Sequence, residues 1–375
     1  MKLGKVGAVT AVALGILGLS TVHVGCGTSN ATDGGADGSA GSSRTPPAKP
    51  SGAAPTTATD EYTYALNTLL LGDTPRPSGD GPLPAPTTSA WKDYGFDIDG
   101  KQTTKDSSDV CQRKAGAGSN VQVDGNGGID NSFGANILPI IQSAGSIPNP
   151  SEQISNSIRG GSFTIQFKIK GLTKDAKQTN TGLSAQLFAS GTFDEDGGTK
   201  PTFTSADDWP VRPELLNDGK TVASGSKVNF PDSYINNGTF VTPQGTVTIS
   251  LVFQGVALDL EIQKAVIVMD ISGDNATNGT IAGVINTEKL VSGLKSVAGR
   301  ISKSLCGSAF DGIAQQIQQT SDILSDGTNR SGVPCDAISI GIGFSAKRIG
   351  NATKVAGLGT ASPDPCAAPA DGGTD

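Results

Sequence analysis

The sequence predicts a mainly β fold: a β-sandwich or jelly-roll-like core with a C-terminal helical pair inserted before the last strand. Three observations predict it. Apolar and polar residues alternate in several separate runs, the pattern that puts one face of a strand on a core and the other in water. Turn residues punctuate those runs, with 51 Gly and 21 Pro in 375 residues. Helical spacing becomes sustained only late, between two of the alternating runs.

The chain opens with Lys2 and Lys5, then an uncharged, mostly apolar run from Val6 to Val22, then His23-Val24-Gly25-Cys26. A basic start, a short apolar core and a small-residue cleavage zone read as a secretory signal over residues 1–25, not a spanning helix. Gly25 before the lone Cys26 resembles the lipobox of bacterial lipoproteins, in which the thiol is lipidated and the leader removed. His23 departs from the Leu usual three places before that cysteine. Ordinary cleavage near Ser29-Asn30-Ala31 is the alternative. The resemblance implies a protein anchored to the membrane through Cys26. Gly27, where lipoproteins kept in the inner membrane usually carry Asp, favours the outer membrane of the envelope.

Residues 26–90 read as a disordered Gly/Ser/Thr/Pro-rich tether. Within it, Tyr62 to Leu71 is a short helix candidate, because Leu66, Leu69 and Leu70 fall at helical spacing. Asp73 to Ser89 reads as a Pro-rich linker. One globular domain then covers 91–360, and 361–375 is a flexible tail pinned by Cys366.

In the domain, Tyr94, Phe96 and Ile98 alternate with Gly95, Asp97 and Asp99, as in a strand running into a turn. Ile137–Ile141 and Ile154–Ile158 read as short helices. Phe163 to Ile169, Gly245 to Phe253, Leu258 to Ile262, Ala265 to Ile271 and Ile281 to Ile285 read as strands, with a weaker one at Leu183–Phe188 and a hairpin turn at Gly255. Asn286 can cap a helix carrying Leu290, Leu294, Val297 and Ile301, and Phe310, Ile313, Ile317 and Leu324 stripe a second. Ile338 to Phe344 is the returning strand. Its alternate glycines, Gly341 and Gly343, imply close approach of another backbone.

Composition excludes several chemistries. The single histidine is His23, in the leader, so Ser-His-Asp and Cys-His catalysis and imidazole-based zinc sites have no donor. Removing Lys2 and Lys5 from the 28 basic residues leaves 26 against 35 acidic ones, so no nucleic-acid partner is expected. Four cysteines follow Cys26, an even count that implies two disulfides in an exported protein. Cys306–Cys335 and Cys111–Cys366 are the favoured pairs.

Only six of the acids are Glu, a bias toward turns and oxygen-rich cation sites. Asp97 and Asp99, with Asp124, Asn126 and Asp130, cluster hard oxygen ligands around glycines and could hold Ca2+. The alternative is a pair of Asx-turns whose carboxylates cap their own backbone. Trp91 and Trp209 sit in loop-like settings and could meet a ligand such as an envelope glycan. Asp194, Glu195, Asp196, Asp207, Asp208 and Glu214 could supply a glycosidase pair, but spacing alone gives them no facing geometry. No catalytic residue is assigned.

At Trp91–Gly100, Gly128–Ile137 and Asp336–Phe344 the chain resembles uncharacterised bacterial surface lipoproteins with a Gly/Ser-rich tether. The resemblance implies one folded unit and carries no activity. The expected role is a lipid-anchored, extracytoplasmic binding or structural module at the cell envelope, calcium-stabilised, with a glycan or protein partner. The competing expectation is a secreted carbohydrate-active protein.

Overall fold

The computed structural model describes residues 45–79, 81–114, 116, 121–145, 147–253, 256–357 and 366. The leader, Cys26, the first part of the tether, Gly255 and most of the tail lie outside these residues.

The central surprise is β1, Glu61–Leu70, which was expected to be helical and to lie in a tether. It is a strand flanked by two others. The helical spacing of Leu66 and Leu69 has a different cause. The register with the last strand slips between Leu66 and Thr68, so Asn67 is an extra residue that resets the alternation. Tyr62, Tyr64 and Leu66 face the core before the slip, and Leu69 and Leu71 face it after. The opposite face is covered too: Ala65 packs with Trp209, and Leu70 with Tyr94. Burial on both faces gave the run its continuous apolar look, which periodicity cannot tell from a helix.

The remaining strands are β2 (Ile165–Lys170), β3 (Asn180–Ala189), β4 (Val228–Asn236), β5 (Thr239–Val241), β6 (Gly245–Phe253), β7 (Val256–Ser272), β8 (Asn275–Asn286) and β9 (Ala337–Ile349). All named pairs are antiparallel, in the order β5-β4-β3-β2-β1-β9-β8-β7-β6. β5 also pairs with β7, Thr239 opposite Asp270 and Val241 opposite Val268. That pairing joins β5, at one end of the order, to β7, one strand short of the other end. The expected mainly β class is therefore built as one sheet closed on itself, whose opposite walls serve as the two layers of a core. Closure pairs both sides of β5, while β6 is hydrogen-bonded to β7 alone among the named strands.

The run from Gly245 follows its alternation through Leu251, whereas in Phe163–Ile169 the polar face is covered too, with Thr164 and Gln166 buried, and the two runs expected at 258–262 and 265–271 are one long strand, β7. Phe167 and Phe344 stack across β1 with ring centroids 5.5 Å apart. β4 and β5 went unpredicted. Asp232 interrupts β4 with a left-handed backbone, φ 61°, and β5 has only three residues, so neither shows a clean period.

Among the described residues, four α-helices accompany the sheet: α1 (Leu138–Gly145), α2 (Pro150–Arg159), α3 (Thr287–Ile301) and α4 (Ser308–Gln318). The last two form the expected pair between β8 and β9, and the Asn286 side chain caps α3 by accepting from Lys289 N at 3.1 Å. α2 solves a problem created by β2, which pairs with β1 only as far as Ala65. Beyond that point Ser155 Oγ accepts from Leu69 N at 3.1 Å and Ser151 Oγ accepts from Leu71 N at 2.8 Å. Two buried serines thus replace the missing ladder partners, which an unpaired strand edge would otherwise leave unsatisfied.

The supposed tether is packed from residue 45 onward. Pro55 bridges to Thr181, and Thr56 Oγ1 donates to Gly171 O at 2.7 Å. In the supposed Pro-rich linker, Arg76 lies 4.8 Å from the Tyr94 ring centroid and donates to Gly279 O and Thr280 Oγ1, each at 2.8 Å.

The cysteines pair differently from the expectation. Cys111 bonds Cys335, and Cys306 bonds Cys366. Backbone geometry decides the first pair: Gln112 N donates to Val333 O and Cys335 N donates to Gln112 O, which lays the two segments side by side.

Candidate metal centre

The outer face of β8 and β9 is covered by two stretches of loop. Gly341 and Gly343 explain how they come so close. A Cβ at Gly341 would meet Tyr94 O at 2.2 Å, and one at Gly343 would meet the Tyr94 ring at 2.3 Å. The close backbone approach expected at these glycines is therefore Tyr94. The run from Tyr94 to Ile98 is not a strand. It is a loop whose Tyr94 and Phe96 are buried against that face.

Asn131 ties the second loop down. Its Oδ1 accepts from Gly341 N and from Gly134 N, both at 3.0 Å. Ser132 N donates to Ser339 Oγ at 2.8 Å, and Ser339 Oγ donates to Asp322 Oδ2 at 2.6 Å. These anchors bring the segments 97–103, 124–131 and 322–329 together.

Asp97, Asp99 and Asp130 converge, each offering a carboxylate oxygen within 4.8 Å of the others. This set could hold a metal ion. Asp130 is buried, and its Oδ2 accepts from Ile98 N at 2.6 Å and Asp99 N at 3.3 Å. Asp97 Oδ1 accepts from Gly100 N at 2.7 Å, and Asp99 Oδ1 accepts from Lys101 N at 2.8 Å. So the Asx-turn alternative is realised for the first of the two turns, where Asp97 and Asp99 cap their own backbone, and not for the second, where Asp130 caps the first turn instead. Asp124 stands beside the three and accepts from Thr103 N.

Electrostatics set the cluster apart. Burial first, then the carboxylates of Asp99, Asp124 and Asp322, push Asp130 well above the usual carboxylate range. Burial, with Asp99, Asp322 and Asp97 adding to it, pushes Asp124 up to about 7. Asp322 keeps part of its surface in solvent, yet its carboxylate end is enclosed and burial raises it to about 7, against the bonds from Ser339. Burial also raises Asp99. The nearest cation in sequence relieves this only in part: Lys101 lowers Asp99, but its Nζ pairs with Asp109, 2.6 Å away. Asp99 Oδ2 and Thr103 Oγ1 are buried without a hydrogen-bond partner. Thr103 is 6% exposed and lines, with Asp322 and Asn329, a cavity of about 420 Å3.

Two of the expected site residues lie elsewhere. Asn126 is exposed and its Nδ2 donates to Asp93 Oδ1 at 2.6 Å, so its amide is turned away from the cluster. Trp209 is fully buried, with Phe193 and Phe203 at centroid distances of 5.0 and 6.1 Å, so it cannot be a surface platform. Its loop setting in the sequence hid a position under Ala65 and Ile349. Trp91 remains half-exposed. Cys26 is outside the described residues.

Three residues went unforeseen: Asp322, Thr103 and Asn329. Asn329 Oδ1 accepts from Cys111 N at 2.6 Å while its Nδ2 donates to Asp322 O at 3.2 Å, linking the disulfide to the cluster. No spacing rule connects residues 218 places apart. Four of the six acids considered for glycoside hydrolysis are engaged by backbone: Asp207 accepts from Thr202 N and Phe203 N, Asp208 from Thr353 N, Asp194 from Thr199 N and Glu195 from Gly357 N, while Glu214 pairs with Arg212.

Compared with protein-family models, curated proteins and solved structures, the chain matches none.

Proposed function

We propose that this chain is a lipid-anchored, extracytoplasmic binding or structural module whose loop layer over β8 and β9 is fastened by a calcium ion. The carrying observation is the convergence of Asp97, Asp99 and Asp130, within 4.8 Å, with Asp130 buried and the other two half-buried. Like charges held together in low dielectric raise one another's pKa, and a bound cation reverses that penalty. An all-oxygen donor set of carboxylates suits a hard cation, and calcium accepts six to eight oxygens in flexible geometry, which carboxylates, carbonyls and water together can supply. Cys26 and the leader before it support the anchor. The anchor predicts an N-terminal peptide of native protein that begins at a modified Cys26.

The test of the cation is thermal melting of the full mature chain in calcium and in chelator. A ligand that binds only the folded state at about 100 times its dissociation constant adds about 2.7 kcal/mol. For a domain of about 300 residues that is a rise of about 4 °C. Identical melts in calcium and chelator sink the reading.

A further inference from the structure

A second concavity, of about 340 Å3, lies on the far side of the Trp91 turn. We propose that it binds one pyranose ring of a neutral glycan, with the Trp91 indole against the ring's C–H face. This rests on the binding-module reading above and names the ligand class of that module.

The walls have the composition a sugar requires. Trp91, Leu138 and Pro139 give apolar surface, while Asp73, Thr87 and Gln142 give hydrogen-bonding groups. A pyranose has one face of C–H groups and a rim of hydroxyls, so it needs both kinds of wall. The volume is at the small end for ligand sites, matching one ring and not a folded partner. Of the two tryptophans, Trp209 is sealed in the core and Trp91 is half-exposed, so only Trp91 can meet a solute. Asp73 is 6% exposed and accepts from Ser151 N and Ser151 Oγ. A carboxylate has about four acceptor positions, so it retains capacity for a sugar hydroxyl.

The wall is also preorganised. Cβ atoms at Gly72 and Gly134 would meet the Trp91 Cβ at 3.1 and 2.8 Å, so two chain segments close directly on the tryptophan's root. Asn131 Nδ2 donates to Trp91 O at 3.2 Å, and Asn126 N donates to Lys92 O at 2.9 Å. The turn that carries Trp91 is thus held by the loop that carries Asp124 and Asp130. Rigid walls lower the ordering cost of binding. A quaternary ammonium ligand calls for an aromatic cage. Trp91 is the sole aromatic residue in this wall.

The probes are cellotetraose and the β-1,4 tetramer of N-acetylglucosamine, with tetramethylammonium as the competing cation. Binding to the full mature chain is read by calorimetry and by iodide quenching of tryptophan fluorescence, in calcium and in chelator. Quenching reports Trp91, since Trp209 is buried. The expected result is that at least one tetramer shields the quenchable indole. Trp91→Ala should then weaken calorimetric binding about tenfold or more, and Trp91→Phe only a few-fold, with folding checked by circular dichroism. No binding of either tetramer, binding unchanged in Trp91→Ala, or shielding by tetramethylammonium alone overturns the proposal. A calcium-dependent melt with no sugar binding defeats this site alone. Sugar binding at Trp91 with no calcium effect defeats only the cation reading.

Discussion

The turn at Asp218 and the cluster at Asp130 are made of the same residue type and end in opposite electrostatic states. Asp218 is exposed, and its carboxylate accepts from Lys220 N, Thr221 N, Thr221 Oγ1 and Ser224 Oγ. These donors hold it below the usual carboxylate range. Asp130 has two backbone donors but is buried among Asp99, Asp124 and Asp322, and its pKa is driven up. The contrast shows that an Asp-rich turn is self-sufficient when its donors are local and solvent is near. When loops from distant parts of the chain press such turns together, donors fall short and the deficit is one of positive charge.

Removing the disulfide behind the cluster should have the largest effect. Cys111 and Cys335 are 224 residues apart, and the loop-closure model gives such a bridge about 5 kcal/mol. The paired Ala variant should therefore melt far lower and lose its response to calcium, because Asn329 leans on Cys111 N. Breaking Cys306–Cys366, 60 residues apart, should also lower the melt but leave the calcium response. Equal loss of response in both variants would detach the disulfide from the cluster.

Next in size is Asp130→Ala. It orphans the N–H groups of Ile98 and Asp99, at about 1–3 kcal/mol each, partly offset by removing a buried charge, for a net loss of about 2 kcal/mol. Its melt should no longer respond to calcium, whereas Asp218→Ala should respond fully. A calcium shift that survives Asp130→Ala would move the ion elsewhere.

The smallest effects lie in the pH profile in chelator. The cluster acids have folded pKa values raised above an unfolded value near 4. Their contribution is therefore present below about pH 4 and lost as pH rises through about 7, where Asp124 and Asp322 titrate. Asp218 works the other way: its contribution is present above about pH 4 and lost as pH falls through its depressed value. Differential scanning across pH should show Asp124→Asn flattening the neutral limb by a few degrees, as calcium should, and Asp218→Asn flattening only the acid limb. A neutral limb that is level in chelator would show that the cluster carries no such strain.

Much of the architecture was legible where one face of an element meets water. β6 and α3 alternate or cycle in register with their burial, and Asn286 announces its helix; β9 kept a clean apolar period although both of its faces are covered. Legibility failed at β1, because both faces are buried and Asn67 breaks the alternation. It failed at Trp209, whose burial depends on Phe193, Phe203 and Ala65 closing over it. For the site, Asp97, Asp99, Asp124 and Asp130 could be named because each sits in a glycine-rich turn of its own. Asp322 could not, since its neighbours in sequence show nothing of Ser339 or Asp124. The cysteine pairing failed for the same reason: an even count implies bridges, but the choice follows from which backbones lie side by side.

By itself, the sequence determined what depends on local order along the chain: strand periods, helix caps, the absence of imidazole after residue 23, and the stock of oxygen ligands. Only the tertiary structure decided the closure through β5 and β7, the disulfide partners, and which aspartates share a desolvated volume. Those three are properties of contacts between segments tens to hundreds of residues apart. Burial and charge coupling act through space, so a linear pattern holds the parts of the site but not their distances.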